Sequence, residues 1–194
     1  MKPVSLVEAQ IDAYCRQGWT QKKNSFTNLQ AQIKGFCFAL PFLLLAGGLY
    51  RVFLLPRAVL LELQGMMFTL ILAGLIVLCC PLHEALHGLG WAGFGRKGWG
   101  AVSFQISGFM PMCSCSAVLS VARYLVGVLL PLLILGGGSL VFLLLYPGTV
   151  SLLAVMVNFY MAGADLAIAF AALRSNAHLI ADSPDSAGFI ALYR

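Results

Sequence analysis

Charge is what this sequence has least of. Of its 194 residues, 12 are Lys or Arg and 7 are Asp or Glu, so 10% are charged while 60% are hydrophobic. With a mean hydropathy of +0.90, this excludes an ordinary soluble domain, in which about a quarter of residues carry charge, and fits a polytopic membrane protein. There is no basic cluster either: the 12 basic residues are dispersed, so the net charge of +5 is not the footprint of a nucleic-acid binder. No apolar run follows Met1 directly, because Lys2-Pro3 lead into a mixed polar segment, and the first span is expected to be retained rather than cleaved as a signal peptide. Cys15, Cys37, Cys79, Cys80, Cys113 and Cys115 lie in apolar segments or on the expected cytosolic side, where thiols stay reduced, so no disulfide framework is implied. Histidine is scarce, with three in the whole chain, which makes any histidine pair informative.

Four apolar segments are present, near 35–55, 60–94, 118–146 and 149–173. Each can supply the roughly 20 residues that a hydrocarbon core of about 30 Å requires, and each is expected to be helical because lipid cannot satisfy backbone hydrogen bonds. The positive-inside rule orients them. With the N-terminus in the cytosol, Lys2, Arg16, Lys22, Lys23, Lys34, Arg96, Lys97, Arg123, Arg174 and Arg194 fall inside and only Arg51 and Arg57 outside. The expectation is a multi-pass cell-membrane protein with both termini cytosolic.

At the end of the second segment stands Cys79-Cys80-Pro81-Leu82-His83-Glu84-Ala85-Leu86-His87-Gly88, an H-E-x-x-H pattern. Residues four apart share a helix face, so the rings of His83 and His87 can converge on one metal ion. Glu84 lies about 100° round the helix and can reach a water on that metal without being a ligand. With three His and three Glu in the chain, chance yields on the order of one such match per thousand chains of this composition. The alternative is two histidines hydrogen-bonded within a helix bundle.

A catalytic zinc site needs a third protein ligand. Asp165 is the lone acid of the fourth segment, and an unpaired Asp there costs roughly 2.5 to 3.5 kcal/mol. It needs a cation, either the metal or Arg123. Depth favours the metal: His87 precedes Arg96 and Asp165 precedes Arg174 by nine residues each, about 13 Å in both cases. Ala162, Gly163 and Ala164 keep that helix thin enough for close approach. Asn158, two helical turns before Asp165, could orient a ligand or donate to substrate, or make an interhelical hydrogen bond.

After Gly95-Arg96-Lys97-Gly98, Val102, Phe104 and Ile106 alternate with Ser103, Gln105 and Ser107, which predicts a strand, one limb of a hairpin turning at Gly108 and Pro111. Its edge, at Phe104, Gln105 and Ile106, could take up an extended peptide, or the strand could be an internally paired connector. Cys113-Ser114-Cys115 reads as small buried thiols rather than a second metal site. Val4, Val7, Ile11 and Tyr14 have helical spacing, which predicts an interfacial helix anchored by Trp19, Lys22 and Lys23, or else a loose tail. Glu62 is expected to be interfacial and His178 solvated.

On HEALHGLG (His83 to Gly90), the loop and strand after it, Gly163-Ala164-Asp165-Leu166, Asp182-Ser183-Pro184 and Gly188-Phe189, the sequence resembles the small bacterial membrane proteins classed as putative zincin peptidases. These are similar to the site-2 protease superfamily of intramembrane metalloproteases. The resemblance implies His83, His87 and Asp165 as zinc ligands and Glu84 as catalytic base. The expected architecture is an all-α integral membrane protein: four transmembrane helices, a short strand or hairpin between the second and third, and a site-2-protease-like core. Residues 1–34 would form a cytosolic segment, 35–174 the transmembrane metallopeptidase domain and 175–194 a cytosolic tail. The expected activity is hydrolysis of a peptide bond in a membrane protein or peptide, with Zn2+ as cofactor and the bilayer as surroundings. The rival is a non-catalytic membrane protein that senses or carries a metal with the same ligands.

Overall fold

The computed structural model describes residues 3–59, 65–95, 97–107, 110–183 and 186–194; the expectations for Lys2, Glu62, Arg96, Gly108 and Pro184 lie outside the described residues. Four helical stretches are long and apolar enough to cross a membrane: Asn28–Arg57, Gly65–Phe94, Val121–Leu145 and Thr149–Arg174. The first begins ahead of its apolar run because Thr27 and Gln30 form a capping box. The Thr27 hydroxyl accepts from the Gln30 N–H at 3.3 Å and the Gln30 side chain accepts from the Thr27 N–H at 3.1 Å. Large apolar side chains such as Leu44, Val77 and Leu145 face outward, as lipid-facing positions require.

The spans are not uniform cylinders. After a short N-terminal helix α1 (Pro3–Arg16), the first span is α2 (Asn28–Leu49), continued by a π-helical turn at Tyr50–Leu54 and a 3₁₀ turn at Leu55–Arg57. The second is the unbroken α3 (Gly65–Phe94). The third joins α4 (Val121–Pro131) to α5 (Gly137–Leu145) through a π turn at Leu132–Gly136. In the fourth, α6 (Thr149–Met161) gives way at Ala162 to α7 (Gly163–Arg174).

The all-α expectation with a single hairpin is incomplete. The predicted strand is β2 (Val102–Ser107), paired antiparallel with β3 (Met110–Cys115). A second, four-stranded antiparallel sheet is built from β1 (Thr20–Phe26), β4 (Val118–Ser120), β5 (Leu179–Asp182) and β6 (Ala187–Tyr193), in the order β1-β6-β5-β4. It joins the two segments flanking the spans, with Thr20 opposite Tyr193. Helix α1 spends its apolar stripe on this sheet: Val7 and Ile11 are buried with Ala181 and Leu192, so the stripe read as membrane-facing has a protein partner. Trp19 likewise meets Tyr14 and His178, with ring centroids 5.4 and 6.0 Å apart. His178 is exposed, as expected.

Beneath the sheet, Trp91, Tyr124, Val128, Ile180 and Phe189 form one buried cluster. It encloses Asp182, whose Oδ2 accepts the Cys115 N–H at 3.0 Å and whose Oδ1 accepts the Tyr124 hydroxyl at 3.2 Å. Burial pushes its carboxyl up to about 7.

Small residues set the helix crossings. A Cβ on Gly163 would stand 2.2 Å from the Gly35 carbonyl oxygen, so α7 lies directly on α2. The Ala162-Gly163-Ala164 stretch therefore admits α2, not the histidine helix for which it was expected to make room. Gly163→Ala must separate two backbones that cannot repack, and is expected to lower stability by about 1 to 3 kcal/mol. A drop in the thermal midpoint of purified protein would show it; an unchanged midpoint would contradict the crossing.

Candidate metal centre

Helix α3 carries His83 and His87 on its buried face, 5% and 6% exposed. Pro81, two residues earlier, has no N–H to give the preceding turn. Asp165 arrives from the first turn of α7, where a carboxylate suits the positive helix end. The three side chains meet. His83 Nε2 lies 2.9 Å from Asp165 Oδ2, His87 Nε2 lies 3.5 Å from Asp165 Oδ1, and the two Nε2 atoms are 3.1 Å apart.

Those separations test whether the trio suits zinc. Donors about 2.0 to 2.1 Å from one ion in tetrahedral directions are about 3.4 Å from each other, close to all three distances. The hydrogen-bond arrangement points the same way. Asp165 Oδ2 is buried without an aligned hydrogen bond among the described residues, although an imidazole nitrogen stands at 2.9 Å. His87 Nδ1 faces the Gly127 carbonyl at 2.9 Å and must donate to it, which in the neutral ring leaves Nε2 with a bare lone pair turned to Asp165 and His83. A carboxylate and an imidazole lone pair converging in a buried place are a ligand set, and His83, His87 and Asp165 could hold a metal ion between them. Arg123, the other cation considered for Asp165, is exposed at the start of α4.

Gly127 is a residue that the motif does not reveal. Its carbonyl fixes the His87 tautomer, and its missing side chain leaves room for Trp91, since a Cβ there would be 2.1 Å from the Trp91 ring. Trp91 stacks on His87, with centroids 5.5 Å apart and planes 17° apart, and donates its indole N–H to the Tyr124 carbonyl at 3.2 Å. Trp91 follows His87 by one helical turn, a spacing that could have flagged it. Gly127→Ala is expected to push the indole and carbonyl apart and weaken zinc binding about 10- to 100-fold, measurable by competition with a chromophoric chelator.

Glu84 stands beside the trio and shares a cavity with His83. It is half-buried, and its Oε2 accepts the Cys113 N–H of β3 at 2.6 Å. With His83 and Gln32 it lines this cavity of about 680 Å³ between α2, α3 and α6, whose other walls are mostly apolar side chains such as Phe36, Leu72 and Met156. The hairpin reaches this cavity through Pro111. Phe104, Gln105 and Ile106 are not among its walls: Phe104 packs over Gly88, and all three are exposed. A second cavity, near Tyr14, Lys97 and Arg123, holds none of the candidate residues.

Asn158 is not brought to the trio. Its Nδ2 donates to the Ala154 carbonyl at 2.9 Å and its side chain lies next to Cys79, one turn before His83. Cys113 and Cys115 are free thiols that burial pushes up, Cys115 to about 11; Cys115 is the buried sulfur expected, whereas Cys113 is half-buried.

No curated protein and no solved structure matches the chain. A family model described as Putative zincin peptidase matches residues 76–180, a stretch that includes His83, Glu84, His87 and Asp165. That stretch is more than half of the sequence, and the chain belongs to the Putative zincin peptidase family.

Proposed function

We propose that the protein is a membrane-embedded zinc metallopeptidase that hydrolyses a peptide bond of a membrane-associated protein, with Glu84 as base. The observation that carries this reading is a carboxylate adjoining, but outside, a trio of ligand-type side chains, with His83 and Glu84 on the wall of an apolar cavity. His83, His87 and Asp165 would hold zinc, which when bound polarises a carbonyl and makes water acidic enough to ionise near neutral pH. Glu84 takes the proton of the attacking water and later returns it to the leaving amine. The Gly127 carbonyl keeps the His87 ring in its ligand tautomer throughout.

The cavity is wide and greasy enough for part of an apolar segment, but a helical substrate must be extended before its backbone can be reached. The hairpin supports a choice of edge. The N–H groups of Cys113 and Cys115 leave the β2–β3 ladder for Glu84 and Asp182, which makes Phe104↔Cys113, Val102↔Cys115 and, by alternation, Ile106↔Pro111 the non-hydrogen-bonded pairs. The outer edge of β3 is thus taken up, and Pro111 has no N–H to offer. We assign a flanking part of an extended substrate segment to the outer edge of β2, at Phe104, Gln105 and Ile106. A segment paired there lies two strand spacings, about 10 Å, from the β3 edge that meets Glu84, so the bond to be cleaved lies beyond the paired stretch. A site-2-protease-like core and cytosolic termini complete the reading.

The test is a comparison of new protein N-termini in membranes containing this protein with those containing its Glu84→Gln variant. New termini are expected with the parent alone, and should vanish when zinc is stripped with 1,10-phenanthroline. Stoichiometric zinc without any new terminus would favour the metal sensor or carrier instead.

A further inference from the structure

We propose that Asp182 is a positioning residue for Glu84, acting through the outer edge of β3. The proposal rests on the reading of Glu84 as the base. Along an antiparallel strand, outward N–H groups recur every second residue, which on this edge means Pro111, Cys113 and Cys115. Proline has none. Each of the other two ends on a carboxylate: Cys113 N–H on Glu84 Oε2 at 2.6 Å and Cys115 N–H on Asp182 Oδ2 at 3.0 Å. The strand is slung between the metal-binding helix and the sheet, and whatever fixes its Asp182 end fixes the donor that orients Glu84.

Asp182 is well placed for that. It is 8% exposed, and its second oxygen is held by the hydroxyl of Tyr124, itself 1% exposed. Among the described residues it has no cationic partner within salt-bridge distance. A buried carboxylate without a cation is a poor way to stabilise a core, but its oxygens can take the backbone N–H groups of Cys115 and Ser183 and the Tyr124 hydroxyl in fixed directions. Ser114, between the two anchored residues, is buried with a side-chain oxygen that has no partner among the described residues, so the strand gains no alternative tether there. Nothing in the zinc motif itself points to Asp182, which lies 95 residues beyond His87.

The test is a double-mutant cycle on full-length, zinc-loaded protein in detergent, with acetohydroxamate as the probe. This ligand binds zinc and shares its proton with a neighbouring carboxylate. Glu84→Gln alone is expected to weaken it about tenfold or more. Asp182→Ala should retain zinc, weaken the probe several-fold, and cause no further loss in the Glu84→Gln background, because both act through one group. Asp182→Asn, which keeps an acceptor for Cys115 and a polar partner for Tyr124, should restore affinity to within about twofold. If Asp182→Ala does not fold, Asp182→Ser serves in its place. Losses that add to those of Glu84→Gln, or no loss at all, overturn the role of Asp182 while leaving Glu84 as the base. No effect of Glu84→Gln on the probe overturns the base reading, and this proposal with it.

Discussion

Replacing Glu84 by Gln is expected to reduce peptide cleavage by about 10²- to 10⁴-fold, the usual contribution of a positioned acid–base group, while zinc stays bound. The choice of Gln matters. Glu84 accepts the Cys113 N–H, and a glutamine carbonyl oxygen can still do so, leaving β3 where it is. Alanine would strand that N–H and mix loss of a base with movement of the hairpin. Turnover with the Gln variant measured beside its zinc content separates chemistry from assembly. Cleavage within tenfold of the parent would remove Glu84 from the mechanism.

Asp165→Ala is expected to act at the opposite end of the same problem. It removes the carboxylate that bridges the histidines at 2.9 and 3.5 Å, leaving two imidazoles whose Nε2 atoms, 3.1 Å apart, can hydrogen-bond to each other instead. Two nitrogens on one helix are a poor zinc site. Affinity should fall by more than the 10- to 100-fold that loss of an outer partner such as the Gly127 carbonyl produces, and zinc should be absent after purification. The neutral pair keeps the interior closed, so the variant should still fold. Arg123→Ala makes the contrast: if Asp165 serves the metal, the arginine can go without changing zinc content. Retention of stoichiometric zinc by Asp165→Ala would show that the fourth span plays no part in holding it.

How much of this was written in the residues depends on the range of the interaction. The H-E-x-x-H spacing is a property of one helix and needs no tertiary information, so His83, Glu84 and His87 were legible. Asp165 stood out because a lone carboxylate in an apolar segment demands a partner. The strand at 102–107 declared itself by alternation. The four-stranded sheet did not: β1, Thr-Gln-Lys-Lys-Asn-Ser-Phe, has no apolar period, and β4 has only three residues. Their pairings bring together residues that are distant along the chain and depend on register rather than pattern. For the same reason α1 could be recognised as amphipathic, but the surface covered by its apolar stripe could not. Gly127 was invisible because its contribution is a carbonyl oxygen and an absence of atoms. For Asn158 the interhelical alternative is what the fold takes up, since its side chain meets Cys79 of α3; seven residues before Asp165 puts it on the same face of an ideal helix, whereas the real one is interrupted at Ala162.

Strands β5 and β6 follow all four spans in the chain, and β5 supplies the acceptor for the Cys115 amide. During synthesis, then, the histidines and Asp165 can be in place while the hairpin beside Glu84 still lacks its second tether. Pairing of β5 with β4 and β6 thus follows the four helical stretches in chain order and bears on the carboxylate of Glu84. A chain built in this order can bring His83, His87 and Asp165 together early and orders Glu84 late, after all four apolar helical stretches have been made.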